Sequence, residues 1–196
     1  MRSVRPSAVR LTAATVLAGL ALTGCSSKDA PSATPAQLVQ AGLAATNHGN
    51  DDAAVAAFRE AVGKESGNLL AHYNLGVIYQ RKGNAAAAST EYAAALMANA
   101  KYVPALYNAA TILAVSSPAA AMMLYRQVVE LDPKNAAAHL NLGLLELQAG
   151  ERAAAKKDVE MAVVLDSTMV SRVPAELRPK TAQIINGTPA PQPVTP

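Results

Sequence analysis

The sequence predicts an all-α fold in which similar helix–turn–helix units stack in a row, and three observations predict it. Apolar residues make up 51% of the chain and aromatic residues only 4%, with no Trp, and much of the apolar share is alanine, the best intrinsic helix former. The phrase HYNLG at 72–76 returns as HLNLG at 139–143, too far away to lie on the same helix. Finally, a small residue recurs with a bulky one four positions on: Ala54 with Phe58, Ala88 with Tyr92, Ala121 with Tyr125 and Ala155 with Val159. Small against large at i, i+4 makes a surface of holes and knobs that is buried only when units stack.

The N-terminus reads as a processing signal. Residues 1–10 carry Arg2, Arg5 and Arg10, an apolar stretch of about a dozen residues follows, and small residues lead to Cys25. That stretch is well short of the roughly 20 residues a helix needs to cross a bilayer. Cys25 is the only cysteine, so no disulfide forms within the chain. The segment LTGC at 22–25, at the end of this signal, resembles the lipobox of bacterial lipoproteins. The resemblance implies a signal peptide over 1–24, cut before Cys25, whose thiol and new amino group then carry acyl chains such as palmitate. Each buried CH₂ contributes about 0.8 kcal/mol, so more than one chain holds firmly to a membrane. The expected location is the cell envelope, outside the cytoplasm. Residues 25–34 are polar, small and Pro-containing, and read as a tether reaching at most about 30 Å beyond the anchor.

From residue 35 a period governs the chain. Gly42 and Gly76, Gly49 and Gly83, Phe58 and Tyr92, and Ala61 and Ala95 are each 34 residues apart. Asn74 is followed by Asn108 after 34 residues and by Asn141 after 33 more. The missing residue belongs to a turn, where AVSSP stands in place of QRKGN and LQAGE. This pattern resembles the tetratricopeptide repeat, a helix–turn–helix unit of about 34 residues. The resemblance implies a right-handed α-solenoid with units at 35–68, 69–102, 103–135 and 136–169. The usual aromatic at the fourth position is replaced by His72, Leu106 and His139, while Leu75–Gly76 and Leu142–Gly143 match the family's central pair.

Within each unit, Gly42, Gly76, Ala110 and Gly143 stand where a neighbouring helix must come close. Gly49, Gly83 and Gly150 suit the left-handed position that ends a helix. Asp51, Asn84 and Ser117 suit the N-cap of the next helix, with Pro118 in its first turn. Leu131–Pro133 ends another helix, because the residue before Pro disfavours α geometry. Over 170–187 a single short helix is expected to cover the last unit, as solenoids need an end cap. Residues 188–196 are Pro-rich and expected to be extended or disordered.

Charge and motifs narrow the function. The seventeen basic and fourteen acidic residues give +3, but three of the basic ones lie in the first ten positions. Without that segment the chain is formally neutral, which removes the basis for nucleic-acid binding. His72 and His139 read as half-buried packing residues, too far apart to share an ion. His48 with Asp51 and Asp52 reads as an exposed turn with acidic residues at a helix start. Met122–Met123 reads as core filler. No nucleophile elbow and no phosphate-cradling glycine loop occurs in the sequence. No catalytic residue, metal site or cofactor is therefore expected, and the protein is read as a non-enzyme.

What remains is a surface. The resemblance implies that first helices line a concave groove holding an extended peptide or a partner's helix. Carried over by position, that groove comprises Tyr73, Asn74, Val77, Gln80 and Arg81, then Tyr107, Asn108 and Thr111, then Leu140, Asn141, Leu144 and Gln148. The amides of Asn74, Asn108 and Asn141 have two open roles, binding a guest or bonding neighbouring helices. Chaperone-binding members of the family hold a terminal carboxylate with Lys and Arg here. Tyr73, Tyr107 and Leu140 occupy one such basic position, so a mixed apolar and amide groove is expected instead. The function implied is a protein-interaction scaffold, such as an assembly factor for a pilus, secretion or envelope complex. The alternative is a cell-wall glycan or peptide, or a lipid, in the same groove.

Overall fold

The computed structural model describes residues 32–179. The signal-like segment, Cys25 and the Pro-rich tail lie outside the described residues. Those described contain eight α-helices and no strand. They form four pairs: α1 (Pro35–Asn47) with α2 (Asp51–Lys64), α3 (Leu69–Arg81) with α4 (Ala85–Ala98), α5 (Val103–Ser116) with α6 (Pro118–Leu131), and α7 (Ala136–Gln148) with α8 (Arg152–Leu165). Each second helix packs on its own first helix, and α2, α4 and α6 also pack on the first helix of the next pair, which is the all-α solenoid.

Asparagine does most of the capping. Asn50, Asn68, Asn84 and Asn135 each accept a backbone N–H three residues on, from Ala53, Ala71, Ala87 and Ala138, at 2.9–3.1 Å. Thr34 opens α1 with a capping box: its Oγ1 accepts from the Gln37 N–H (3.2 Å) while Gln37 Oε1 accepts from the Thr34 N–H (2.9 Å). Asp51 is therefore not the N-cap expected of it, because Asn50 precedes it and takes the role. Ser117 does stand at the N-cap of α6, with Pro118 next, but its side chain makes no capping bond. The cause is the shortened turn. Ser117 is at once the C-cap of one helix and the N-cap of the next, and its N–H goes to the Leu113 carbonyl at 2.7 Å. The other three turns keep their glycine, with Gly49, Gly83 and Gly150 at φ 71°, 76° and 84°.

The packing rests on a repeated close approach. A Cβ placed on Gly76 would lie 2.6 Å from Cε1 of Tyr92, and one on Gly42 would lie 2.6 Å from Cε1 of Phe58. At Gly143 the nearest neighbours would be Val159 Cγ2 at 2.9 Å and the Ala155 carbonyl at 3.0 Å. Ala54, Phe58, Ala88, Tyr92, Ala121, Ala155 and Val159 are fully buried, and Tyr125 nearly so. The small residues of the second helix therefore face the same interior as the large ones. Met122 joins this core, whereas Met123 is 64% exposed, so the pair is not core filler as a whole.

The C-terminal cover differs from the single helix expected over 170–187. Two short 3₁₀ helices form instead, Ser167–Arg172 and Ala175–Leu177. Pro174 separates them: the residue before it, Val173, is held extended at φ −80°, ψ 128°. Val173 and Leu177 are buried against Leu140, Val159 and Ala162, closing the end of the last unit. Residues 180–187 lie outside the described residues.

Two glycine substitutions should move stability in opposite directions. Gly76→Ala should cost about 1–3 kcal/mol by overpacking against the buried Tyr92 ring. Gly63→Ala, where an added Cβ meets nothing within 4 Å inside α2, should gain about 0.4–1 kcal/mol. Urea denaturation of both variants beside the parent chain measures each.

Candidate functional site

The face built by α3, α5 and α7 carries the positions expected to line a groove, and a relay of hydroxyls and amides runs beneath it. Tyr92, from the second helix of its pair, reaches up between α3 and α5. Its hydroxyl donates to Gln80 Oε1 (2.6 Å) and accepts from Asn108 Nδ2 (3.2 Å). Tyr125 does the same between α5 and α7. Thr111 spends its proton on the Tyr107 carbonyl (3.0 Å), so the Tyr125 hydroxyl donates to Thr111 Oγ1 (2.9 Å) and accepts from Asn141 Nδ2 (3.2 Å). Asn141 also donates to the Tyr107 hydroxyl at 3.1 Å. Asn108 and Asn141 thus bond neighbouring helices.

Asn74 differs because the second helix of the first pair offers Phe58, which has no hydroxyl. Its Nδ2 donates instead within α3, to the Leu70 carbonyl at 2.7 Å. Chemically equivalent in sequence, the three amides divide into two that hold the fold and one that does not cross to another helix.

The other expected positions are placed as follows. Tyr73 is half-buried, edge-on to Tyr102 at 5.2 Å between ring centres, and Tyr107 lies edge-on to Tyr125 at 5.6 Å. Val77 packs on the cluster around Tyr92. Gln148 is exposed at the end of α7. Arg81 is exposed but paired with Asp51, while Lys82 holds Asp52 at 2.8 Å. Leu140 corrects the expectation: it is 0% exposed, covered by Val173 and Leu177, and lines no open groove.

Around Thr111, Asn141 and Leu144 the surface sinks into a dent of about 220 Å³, completed by Ala114, Tyr125 and Leu145. Those last three were missed in the sequence. Ala114 lies three residues after Thr111 and Leu145 four after Asn141, so helical spacing was the available signal.

Two of the histidines are tied into the scaffold. His72 Nδ1 meets Glu91 Oε2 at 2.7 Å and its Nε2 meets the Ser66 carbonyl at 3.0 Å. His139 repeats this with Asp158 (2.7 Å) and the Pro133 carbonyl (3.2 Å). Both histidines are buried, though tied by both ring nitrogens to polar partners rather than set in apolar packing. His48 is exposed at the end of α1, and Asp51 and Asp52 turn to the next pair instead of joining it. Among the described residues no three His, Cys, Asp or Glu side chains converge as metal ligands, and no helix is long and apolar enough to cross a membrane.

Burial pushes the Tyr92 phenol up to about 12, with the Asn108 bond opposing and Tyr73 adding slightly; burial raises Tyr125 in the same way. A phenol raised in the folded state contributes stability below its ordinary value of about 10, which is lost as pH climbs towards 12. Tyr92→Phe should therefore cost about 1 kcal/mol at neutral pH by leaving Gln80 and Asn108 without their partner. It should also abolish one step of alkaline destabilisation, as read by urea denaturation at a series of alkaline pH values.

The sequence matches the family model described as tetratricopeptide repeat over residues 39–104 and 113–168. No curated protein matches it. Among solved structures, MamA 41-end from Desulfovibrio magneticus RS-1 is 20% identical with a TM-score of 0.59, over 68% of this chain and 76% of that one. Pseudomonas aeruginosa pilF is 26% identical with a TM-score of 0.59, over 70% of this chain and 63% of its own. The first TPR of Spaghetti (RPAP3), solved with the HSP90 peptide SRMEEVD, is 21% identical with a TM-score of 0.55, over 60% and 96%. Paired helices in phase, glycines beneath bulky rings and a match over most of the helical region agree: the chain belongs to the tetratricopeptide repeat family.

Proposed function

We propose that this protein is a lipid-anchored scaffold of the bacterial cell envelope, facing outside the cytoplasm, which holds a segment of a partner protein without catalysing a reaction. The observation that carries the interaction reading is the dent between α5 and α7. At about 220 Å³ it has room for one apolar side chain of a guest, resting on Ala114, Leu144 and Leu145. Both N–H groups of Asn141 are engaged by tyrosine hydroxyls, so its carbonyl oxygen is what remains to accept from a guest backbone. Arg81, the basic residue among the expected groove positions, is already paired with Asp51. The guest is thus an uncharged, partly apolar segment, unlike the acidic SRMEEVD held by the RPAP3 repeat.

The anchor reading rests on the sequence before residue 26: a basic start, an apolar stretch and LTGC ending at Cys25. Assembly of a pilus, secretion apparatus or other envelope complex is the narrower form of the proposal, supported by the combination of that segment with the repeats.

Two experiments test this. A photo-crosslinking residue at position 111, used in cells, should trap one protein partner, and Leu144→Lys should abolish the adduct while circular dichroism stays unchanged. Recovery of glycan or lipid in place of protein, or an adduct indifferent to Leu144→Lys, overturns the scaffold reading. Separately, Cys25→Ala should move the protein from the membrane pellet to the soluble fraction, and retention in the pellet overturns the anchor.

A further inference from the structure

Residues 188–196 read TPAPQPVTP, and no charged residue occurs from 181 to 196. Proline fixes φ at about −65° and pushes the residue before it towards extended geometry, so this sequence favours an extended left-handed helix of about three residues per turn. In that form Pro191 and Val194, three positions apart, lie along one edge. Thr188, Ala190, Gln192 and Val194 alternate with the prolines and keep their N–H groups. Segments of this kind bind where aromatic rings flank an apolar hollow, and they lose little entropy because their conformation is preformed.

The dent between α5 and α7 has those parts. No charged side chain lines it, and Ala114, Leu144 and Leu145 supply its apolar surface. Tyr107, one helical turn before Thr111, stands beside it with its ring edge-on to that of Tyr125. The Tyr107 phenol accepts from Asn141 at 3.1 Å, and its own proton has no acceptor among the described residues, so it is left to donate to a guest carbonyl. Asn141 Oδ1 is the complementary acceptor for one of the alternate N–H groups.

The chain also leaves the solenoid beside this dent. Leu144 lines the dent and at the same time packs on the buried cluster that Val173 and Leu177 join. Arg178 Nε donates to the Val173 carbonyl at 3.0 Å, which fixes the end of that cover. From Pro179 to Thr188 the chain reaches at most about 30 Å when extended, and about 15–18 Å as a flexible linker. Packed helices lie only about 8–10 Å apart, so the dent is within reach. A linker this short sets a local concentration on the order of 1 mM, and a contact with a Kd of about 1 mM is then made about half the time.

We propose that residues 188–196 occupy the dent between α5 and α7 of their own chain, with a side chain of the Pro191–Val194 edge in the hollow, and that a partner binds by displacing them. The inference rests on the scaffold reading of this face, to which it adds a resident guest. A partner then meets the open site only in the fraction of molecules whose segment has left, and its apparent Kd rises by the inverse of that fraction.

In cells, the full chain with a photo-reactive residue at position 111 should give a monomer-sized product in which the tryptic peptide 181–196 is joined to the peptide 102–126. Pro191→Asp together with Val194→Asp, which puts charge into an uncharged contact, should lower that product about tenfold or more. In the same doubly substituted chain the adduct with a partner protein should rise about two- to tenfold at equal expression. Absence of the internal link, its appearance only in a dimer-sized product, or its persistence in the doubly substituted chain overturns the proposal. The two readings fail separately. A partner adduct of equal yield in both chains, with no internal link, removes the resident segment and leaves the scaffold. An internal link lost on double substitution, with no partner adduct in either chain, supports the resident segment and removes the scaffold.

Discussion

The stacking depends on one steric relation, clearest in the first two pairs: a backbone with no side chain on one helix, and a ring pressed against it from the next. Gly42 beneath Phe58 and Gly76 beneath Tyr92 leave no room even for a methyl group. That closeness brings the two helices of a pair together and buries the ring completely. Once the ring is fixed, its far edge points to a defined place between successive first helices. The groove face is therefore set from below, by residues of the second helices.

The hydroxyl at that far edge converts packing into polar specificity. A phenylalanine would fill the same volume, as Phe58 does, but would leave the next asparagine to its own helix, as Asn74 shows. Tyr92 and Tyr125 instead each join two successive first helices through one oxygen. A half-buried amide with both donors engaged is held in one orientation, so what it offers a guest is fixed before any guest arrives.

Much of this was legible in the sequence, for identifiable reasons. Periodicity gave the helix pairs, because a 34-residue step with small and bulky residues in phase is the length of one helix–turn–helix unit. The left-handed glycines were legible because few other residues adopt that conformation. The N-cap at Asn50 was misplaced by one residue because Asn and Asp stand side by side and cap equally well. The cover over Leu140 was not legible as such, since its burial depends on Val173 and Leu177, which carry no repeat signal. Nor did the sequence divide the asparagines. That division rests on one hydroxyl, on a residue sixteen positions earlier in a different helix. The acid 19 positions after His72 and after His139 was present all along, but only folding makes each pair a contact.

The 3₁₀ segments at the C-terminal end give the row of units a polarity. Val173 and Leu177 sit on the surface of α8 and the flank of α7 where the first helix of another unit would have to lie. The stack is thus finished on that side, like a colonnade with a wall at one end. End-to-end propagation through α8 is blocked by the chain's own residues, and this repeat array terminates itself.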